Sequence, residues 1–346
     1  METGPSIPMQ PLHPADVALY QDLFSLFFFL QSVRKALMSV GYVWEDLYTR
    51  HNMGEYHPES PLRLKAVKNV IDDVKVAPFL TRLIPKPATK EELSWVHDGH
   101  YIDRIESTSG KFEDLDPDTS TCPATWDAAL LAAGGVIACV DYVMEEKYSH
   151  GAFAFVRPPG HHAERTHAMG FCFFNNIAIG TEHAINKYGL KRVAVLDFDV
   201  HHGNGTQNHF YNRGDVLFAS VHRHPFYPGT GDAIETGKGL GKGLNINVPL
   251  NGGGGDEEFR AAWDNILAKV EGFKPELIMV SAGFDAHVED PLGGMKLTTG
   301  AYRRLASKLV LLSKKVCGGR LVLVLEGGYS LSALRSCVKA VLEEMI

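Results

Sequence analysis

The chain is poor in features that mark several protein classes. Its five cysteines (Cys122, Cys139, Cys172, Cys317, Cys337) form no CxxC pair and leave an odd one over. They read as reduced, mostly buried thiols of an intracellular protein, not as a disulfide framework. Positive charge is not in excess: 34 Lys and Arg stand against 41 Asp and Glu, a formal net charge of −7. That balance excludes a protein that coats nucleic acid directly. The most apolar stretch, "LYQDLFSLFFFL" (Leu19–Leu30), is well short of the roughly 20 residues of a spanning helix, so no transmembrane segment is expected. No Lys or Arg precedes it, which argues against a secretory signal, and the lack of Arg argues against a transit peptide. It reads as an amphipathic helix packed on the domain or on a partner. Internal repeats, low-complexity tracts and a Pro/Gly/Ser linker are absent too, so the rest is taken as one domain: a helical extension over 1–38 and a catalytic domain over 39–346.

What is present is histidine, 16 of 346 residues, and a regular alternation of short apolar runs with helical stretches. Candidate strands are "VGYVW" (40–44), "AFAFV" (152–156), "RVAVLDF" (192–198), "VLFASV" (216–221), "LNINVPL" (244–250), "LIMVSAG" (277–283) and "LVLVLEGG" (321–328). Between them lie segments such as "TWDAALLAAGGVIACVDYVMEE" and "AYRRLASKLVLLSKKV". Continuous apolar strands alternating with helices predict an α/β fold, a single-domain open, mostly parallel sheet with helices on both faces. "NGGGGDEEF" (251–259) reads as a turn in which Asp256 caps a helix.

The polar residues gather where these strands end. "AFAFV" runs into "RPPGHHAE", "RVAVLDF" into "DVHHGNG", "VLFASV" into "HRHPFYPGTG", "LIMVSAG" into "FDAHVEDPLGG" and "LVLVLEGG" into "YSLSAL". Open α/β sheets bind ligands beyond the carboxyl ends of their strands, so five loops converge on one expected site. Residues two apart on an extended segment point the same way. Asp199 and His201 can therefore meet one ion, with Asp285 arriving from another strand. Two carboxylates and an imidazole leave a position open, as catalytic zinc sites do, and the donor set also suits Fe(II). Asp197 is read as lying outside this ligand set and free to hold an imidazole, His161 being the candidate. Adjacent His161 and His162 can carry different protonation states if their partners differ.

The ordered series "RPPGHHAE…MGFCFFNN", "LDFDVHHGNGTQ", "FYPGTGD", "SAGFDAHVEDPLGG" and "LEGGYSL" resembles the motifs of the zinc-dependent histone deacetylase superfamily, in its class II-like branch with bacterial relatives. The resemblance covers roughly residues 40–345 and includes "HPESPLRL". It implies zinc on Asp199, His201 and Asp285, with His161 and His162 as tandem catalytic histidines. His161 would pair with Asp197, and His162 with Asn204, where many relatives carry Asp. An amide cannot hold an imidazolium as a carboxylate does, so His162 is expected to be the general base. Tyr329 matches the tyrosine that donates to the acetyl oxygen; members with His there are nearly inactive on acetyl-lysine. Phe171, preceded by Gly170, and Tyr227 match the walls of a lysine tunnel. Asp118 matches a rim aspartate that grips substrate backbone, and Arg63 a buried arginine near the acetate exit. Asp197 and the backbone around Ser220 and Val221 would hold a structural potassium ion.

The implied substrate is an acetylated lysine in a protein or peptide, or a small acetylated amine. A polyamine enzyme would carry an acidic gatekeeper where this chain has Leu292, although Glu289 and Asp290 stand close by. A non-catalytic acetyl-lysine binding module and an arginase-like dimanganese enzyme are the other readings, and both sit poorly with one ligand set beside a Tyr and tandem His. "GTGDAIETGKGLGKG" lacks the spacing of a phosphate loop and is expected to be a flexible loop. A cytoplasmic enzyme is expected, without direct nucleic-acid contact, and homo-oligomerisation stays open.

Overall fold

Strands in the middle of a sheet covered on both sides are buried on both faces and therefore mostly apolar, and three runs here meet that condition. Val193–Asp197, Leu277–Ala282 and Leu321–Leu325 are buried throughout. In the computed structural model, which describes residues 39–146 and 149–346, they form the centre of an eight-stranded sheet. The expected extension over 1–38 lies outside the described residues.

In chain order the strands are β1 (Ser39–Val43), β2 (Leu80–Arg82), β3 (Asp114–Asp116), β4 (Thr119–Ser120), β5 (Ser149–Ala154), β6 (Val193–Asp197), β7 (Val216–Arg223), β8 (Asn245–Leu250), β9 (Leu277–Ala282) and β10 (Leu321–Leu325). The large sheet has the order β2-β1-β5-β10-β9-β6-β7-β8, and every neighbouring pair in it is parallel. Among the described residues, antiparallel pairing occurs in the β3–β4 hairpin and in an isolated bridge between Met169 and Cys172. All seven strands expected from sequence are present. The two elements it did not reveal are β2, a three-residue edge strand, and the hairpin. Neither is long enough to show a hydrophobic period.

The helices are α1 (Leu62–Ile71), α2 (Lys90–Ser94), α3 (Gly99–Glu106), α4 (Thr125–Glu145), α5 (Asn176–Tyr188), α6 (Asn204–Phe210), α7 (Asp256–Phe273), α8 (Thr299–Cys317) and α9 (Leu331–Met345). Helix α4 packs on β1, β5 and β10, and α5 lies against α4 and β9; α7 covers β7 and β8, while α8 and α9 pack together and α9 rests on α1. Helix α4 is long and apolar enough to cross a membrane by composition alone, but here it is a core helix. Local signals set the helix ends. Asn175 accepts from Ala178 N at 3.1 Å at the start of α5, and Gly189 (φ 67°) closes it. Asp256 departs from expectation: Gly255 is the N-cap of α7. The Asp256 carboxylate instead reaches Thr298 N and Oγ1, both at 2.8 Å, at the start of α8. A tertiary partner outcompetes the local backbone for that side chain.

The path from β5 to β6 leaps over the places later filled by β10 and β9. At such a reversal the loops leaving neighbouring strands part and open a crevice at their carboxyl ends. The loops after β5, β6, β7, β9 and β10 are the five that carry the His, Asp, Gly and Tyr residues singled out above.

Leu323 is 1% exposed and sits in β10 opposite Phe153 and Val280. Truncating it to Ala is expected to lower unfolding free energy by about 2–5 kcal/mol, read by urea denaturation with unchanged slope. A much smaller loss would contradict the central place of β10.

Candidate active site

Strand β6 ends in Asp197, and the chain bends directly beyond it, so Asp197 and Asp199, two residues apart, take different tasks. Asp197 Oδ1 accepts from Asp199 N at 3.0 Å, and its Oδ2 meets His161 Nδ1 at 3.0 Å. Asp199 faces the other way. Its Oδ2 accepts from Gly327 N at 2.8 Å, and its Oδ1 lies 3.1 Å from His201 Nδ1. From β9, Asp285 accepts from Val200 N at 2.8 Å through Oδ1, while its Oδ2, 3.2 Å from His201 Nδ1, makes no hydrogen bond. Ligand atoms of Asp199, His201 and Asp285 all lie within 4.8 Å of one another. Both carboxylates are fully buried. Gly327 is needed here for space: a Cβ would come within 2.1 Å of Asp285 Oδ2 and 2.6 Å of Asp199 Oδ2.

Two buried carboxylates demand positive charge. Burial opposes a charged His201, yet Asp199 and Asp285 push its pKa up to about 10. Burial, with the Asp199 charge, raises Asp285 to about 7. A divalent cation answers this excess of negative charge, and the uncommitted Asp285 Oδ2 gives it a ligand. The O/O/N set of three, with room on one side, fits a catalytic ion such as zinc.

The tandem histidines lie with ring centroids 3.9 Å apart and their planes tilted by 44°, but their partners differ. Burial works against charge on His161, and the carboxylates of Asp197 and Asp199 overcome it, raising its pKa to about 10. His162 Nδ1 faces Asn204 Oδ1 at 2.8 Å. Burial and then the charge of His161 hold His162 well below the usual histidine range. The carboxylates beside His161 and the burial of His162 thus drive the two adjacent imidazoles in opposite directions.

A cleft of about 240 Å³ opens above these groups, lined by Asp118, His162, Gly170, Phe171, His201, Phe226, Tyr227, Leu292 and Tyr329. Phe171 and Tyr227 are its aromatic walls: Phe171 stands edge-on to Tyr329 (5.9 Å, 87°) and Tyr227 edge-on to His162 (5.1 Å, 87°). Phe171 has φ 69°, a strained conformation for a non-glycine residue. Its N–H is held by Thr119 Oγ1 at 3.0 Å. Gly170 (φ 56°) admits the turn, and a Cβ there would meet His162 at 2.4 Å. Asp118 rides on the β3–β4 turn at the rim. Phe226 was not anticipated; it stacks on His201 at 5.2 Å. The signal was its place beside Tyr227 in a loop leaving a strand.

Arg63 does not line the cleft. It is fully buried behind Tyr329, its Cζ 5.2 Å from the ring, and donates to Gly328 O at 2.7 Å and to Glu326 O. Asp290 is turned inward as well. Its Oδ2 accepts from Tyr329 N (2.7 Å) and Ser330 N (3.3 Å), and its Oδ1 from Leu292 N (2.9 Å) and Gly293 N (3.2 Å). It clamps the Tyr329 loop to the rim turn. Glu326, also missed, accepts from Gly160 N at 2.7 Å and His161 N at 3.2 Å. Glu59 lies wholly buried between two guanidiniums. Arg157 reaches it through Nε and, at 2.7 Å, through Nη2, and Arg63 at 2.9 Å. Arg157 also binds the carbonyls of Tyr48 (2.7 Å) and His51 (3.1 Å).

Known proteins resemble this chain over most of its length. The profile of the histone deacetylase domain matches residues 57–345. "Histone deacetylase 14, chloroplastic" of Arabidopsis thaliana is 41% identical over 306 residues, 83% of this chain and 72% of that protein. The "Histone deacetylase-like amidohydrolase" of Pseudomonas aeruginosa is 41% identical over 292 residues, 84% and 77% of the two chains. A "Probable deacetylase" of Archaeoglobus fulgidus is 41% identical over 296 residues, covering 85% and 82%. Among solved structures, the HDA15 HD domain superposes with a TM-score of 0.84 at 36% identity, covering 90% of this chain and 88% of its own.

Removing Glu59 leaves two buried guanidiniums uncompensated, so Glu59→Ala is expected to destabilise the fold by about 3–5 kcal/mol in chemical denaturation. Burial alone would raise the Glu59 pKa, but Arg157 and Arg63 lower it from 4.5 to about 2. Its stabilising contribution is therefore complete above pH 4.5 and lost as pH falls towards 2. An acid-unfolding midpoint unmoved by the substitution would refute this.

Proposed function

The chain belongs to the histone deacetylase family and is a hydrolase of that family; on that premise we propose that it removes the acetyl group from N6-acetyl-lysine in proteins or peptides, using zinc held by Asp199, His201 and Asp285. The observation that carries the reading is one cleft with aromatic walls whose floor brings together His162, Tyr329 and His201 of the metal-ligating triangle. Such an ion, when bound, supplies Lewis acidity toward an amide carbonyl and toward water.

The protein's own groups supply the rest. His162, neutral and bound through Nδ1, takes a proton from water at Nε2 and returns it to the departing lysine amine, a role that typically contributes ~10²–10⁴-fold. His161, kept charged by Asp197, places a fixed positive charge beside the reacting centre. Burial, reinforced by the Asp285 charge, raises the Tyr329 pKa well above its ordinary value, so the phenol keeps its proton. It donates that hydrogen bond to the acetyl oxygen as negative charge develops there. Phe171, Tyr227 and Phe226 sheathe the aliphatic stem, and Asp118 accepts from a substrate N–H at the rim. Asp197, opposite Ser220 in the β6–β7 register, is the residue we assign to a structural potassium ion, with the backbone of Ser220 and Val221. All five cysteines are buried, unpaired thiols, which suits the reducing cytoplasm we assign to the protein.

Acetylated polyamines are the rival substrate within the same chemistry. They carry a distal ammonium that calls for a carboxylate at the mouth. Leu292 occupies the rim, the Asp290 carboxylate is taken up by four backbone N–H groups, and Glu289 accepts from Ser332 Oγ at 2.9 Å. This favours acetyl-lysine.

Two measurements test the proposal. Acetate release should show higher kcat/KM on acetyl-lysine peptides than on N-acetylated polyamines; a large opposite preference overturns the substrate assignment, and no release from any substrate would favour a binding module. Tyr329→Phe should lower kcat by about 10²–10³-fold with zinc content, measured by elemental analysis, unchanged. Near-normal turnover would remove Tyr329 from its role.

A further inference from the structure

A side-chain amide has two faces, an oxygen that accepts and an NH₂ that donates, and nothing in its own shape favours either. Asn204 presents its oxygen to His162 Nδ1 at 2.8 Å, so Nδ1 carries the ring proton and Nε2 keeps its lone pair. A flipped amide would offer N–H to Nδ1, move the ring proton to Nε2 and remove the lone pair from the atom that needs it. His161 faces no such ambiguity, because either oxygen of the Asp197 carboxylate accepts.

What orients Asn204 is on the page. Its Nδ2 donates to Glu164 Oε1 at 2.7 Å and lies 3.4 Å from Met169 Sδ. Both are acceptors, and a carbonyl oxygen turned toward the Glu164 carboxylate would meet only repulsion. Asn204 is 2% exposed, so water has little room to substitute. Glu164 is itself anchored. Its Oε1 also accepts from Asn208 Nδ2 at 2.8 Å, four residues further along α6. Its N–H donates to His167 O at 3.0 Å, and its carbonyl meets His97 Nδ1 at 2.9 Å.

We propose that Glu164 is a positioning residue that sets the tautomer of His162 through the amide of Asn204. The assignment rests on the reading of His162 as general base, and it explains how an Asn works where many relatives carry Asp. The carboxylate one step further out fixes the amide without placing a second full charge against the imidazole. Relay partners of this kind typically matter at the level of about 10–100-fold in activity.

The test pairs a spectroscopic readout with kinetics. In histidine-labelled protein, nitrogen NMR reports which ring nitrogen of His162 is protonated, the resonance being identified by its loss in His162→Ala. Glu164→Ala should shift His162 toward the Nε2–H tautomer and lower kcat by about 10–100-fold, with KM little changed. Glu164→Gln retains an acceptor oxygen and should restore both. On an Asn204→Asp background, where either oxygen accepts, Glu164→Ala should cause no further loss. Thermal melts at the temperature of the parent protein certify the fold of each variant. An unchanged tautomer in Glu164→Ala, or the full loss persisting on Asn204→Asp, overturns the relay. A tautomer that moves while kcat does not supports the relay and overturns His162 as the base.

Discussion

Two carboxylates, Asp199 and Asp285, are buried facing each other at the ends of adjacent strands, and the surrounding site is arranged around their charge. Their uncompensated transfer from water would be prohibitive. Backbone N–H groups of Gly327 and Val200 take one oxygen from each, His201 leans between them, and the remaining negative charge is what a divalent cation answers. The glycine at 327 exists because a side chain would fill that space. The parallel sheet makes the arrangement feasible, since β6 and β9 are neighbours and their ends bring the two acids together without a long detour of chain.

The same negative centre explains why the two adjacent imidazoles diverge. His161 lies 3.9 Å from Asp199 Oδ1 and closer to Asp197, so it remains charged; His162, one residue on, meets an amide and the field of its charged neighbour. A charged group and a neutral base thus sit side by side. Tyr329 depends on a second frame. Asp290 holds its backbone from one side, and Arg63, braced by Glu59, holds Glu326 and Gly328 from the other. The phenol and the rim turn at Leu292 share the Asp290 clamp, so the reacting end and the mouth of the cleft are mechanically joined.

Much of the fold was legible because central parallel strands are buried on both faces, which leaves mostly apolar runs in the chain. The hairpin bearing Asp118 and the edge strand β2 left no such run. Asp199 and His201 were legible as a pair from their spacing of two, but Asp197 and Asp199 share that spacing, and what parts them is the bend that follows β6. Arg63 was placed near the reacting end by resemblance, yet it supports that end from behind and does not touch the cleft. Asp290 read as a rim carboxylate and proves to be a backbone clamp. Glu59, Arg157, Glu164 and Glu326 lie within the quoted motifs, but nothing local assigned them a role, since a charged residue in a loop usually faces solvent.

By itself, then, the chain determined the alternating layers and the strand ends at which polar side chains gather, because these follow from periods of two and 3.6 residues, and the intrinsic chemistry of Asp, His and Tyr singled out the residues proposed to ligate a metal and move a proton. Tertiary structure alone decided which carboxylates are taken up by backbone and which amide face meets His162. Those outcomes are set by the field and hydrogen bonds of partners distant in the chain, such as Arg63 and Gly328, 265 residues apart, and no local pattern encodes them.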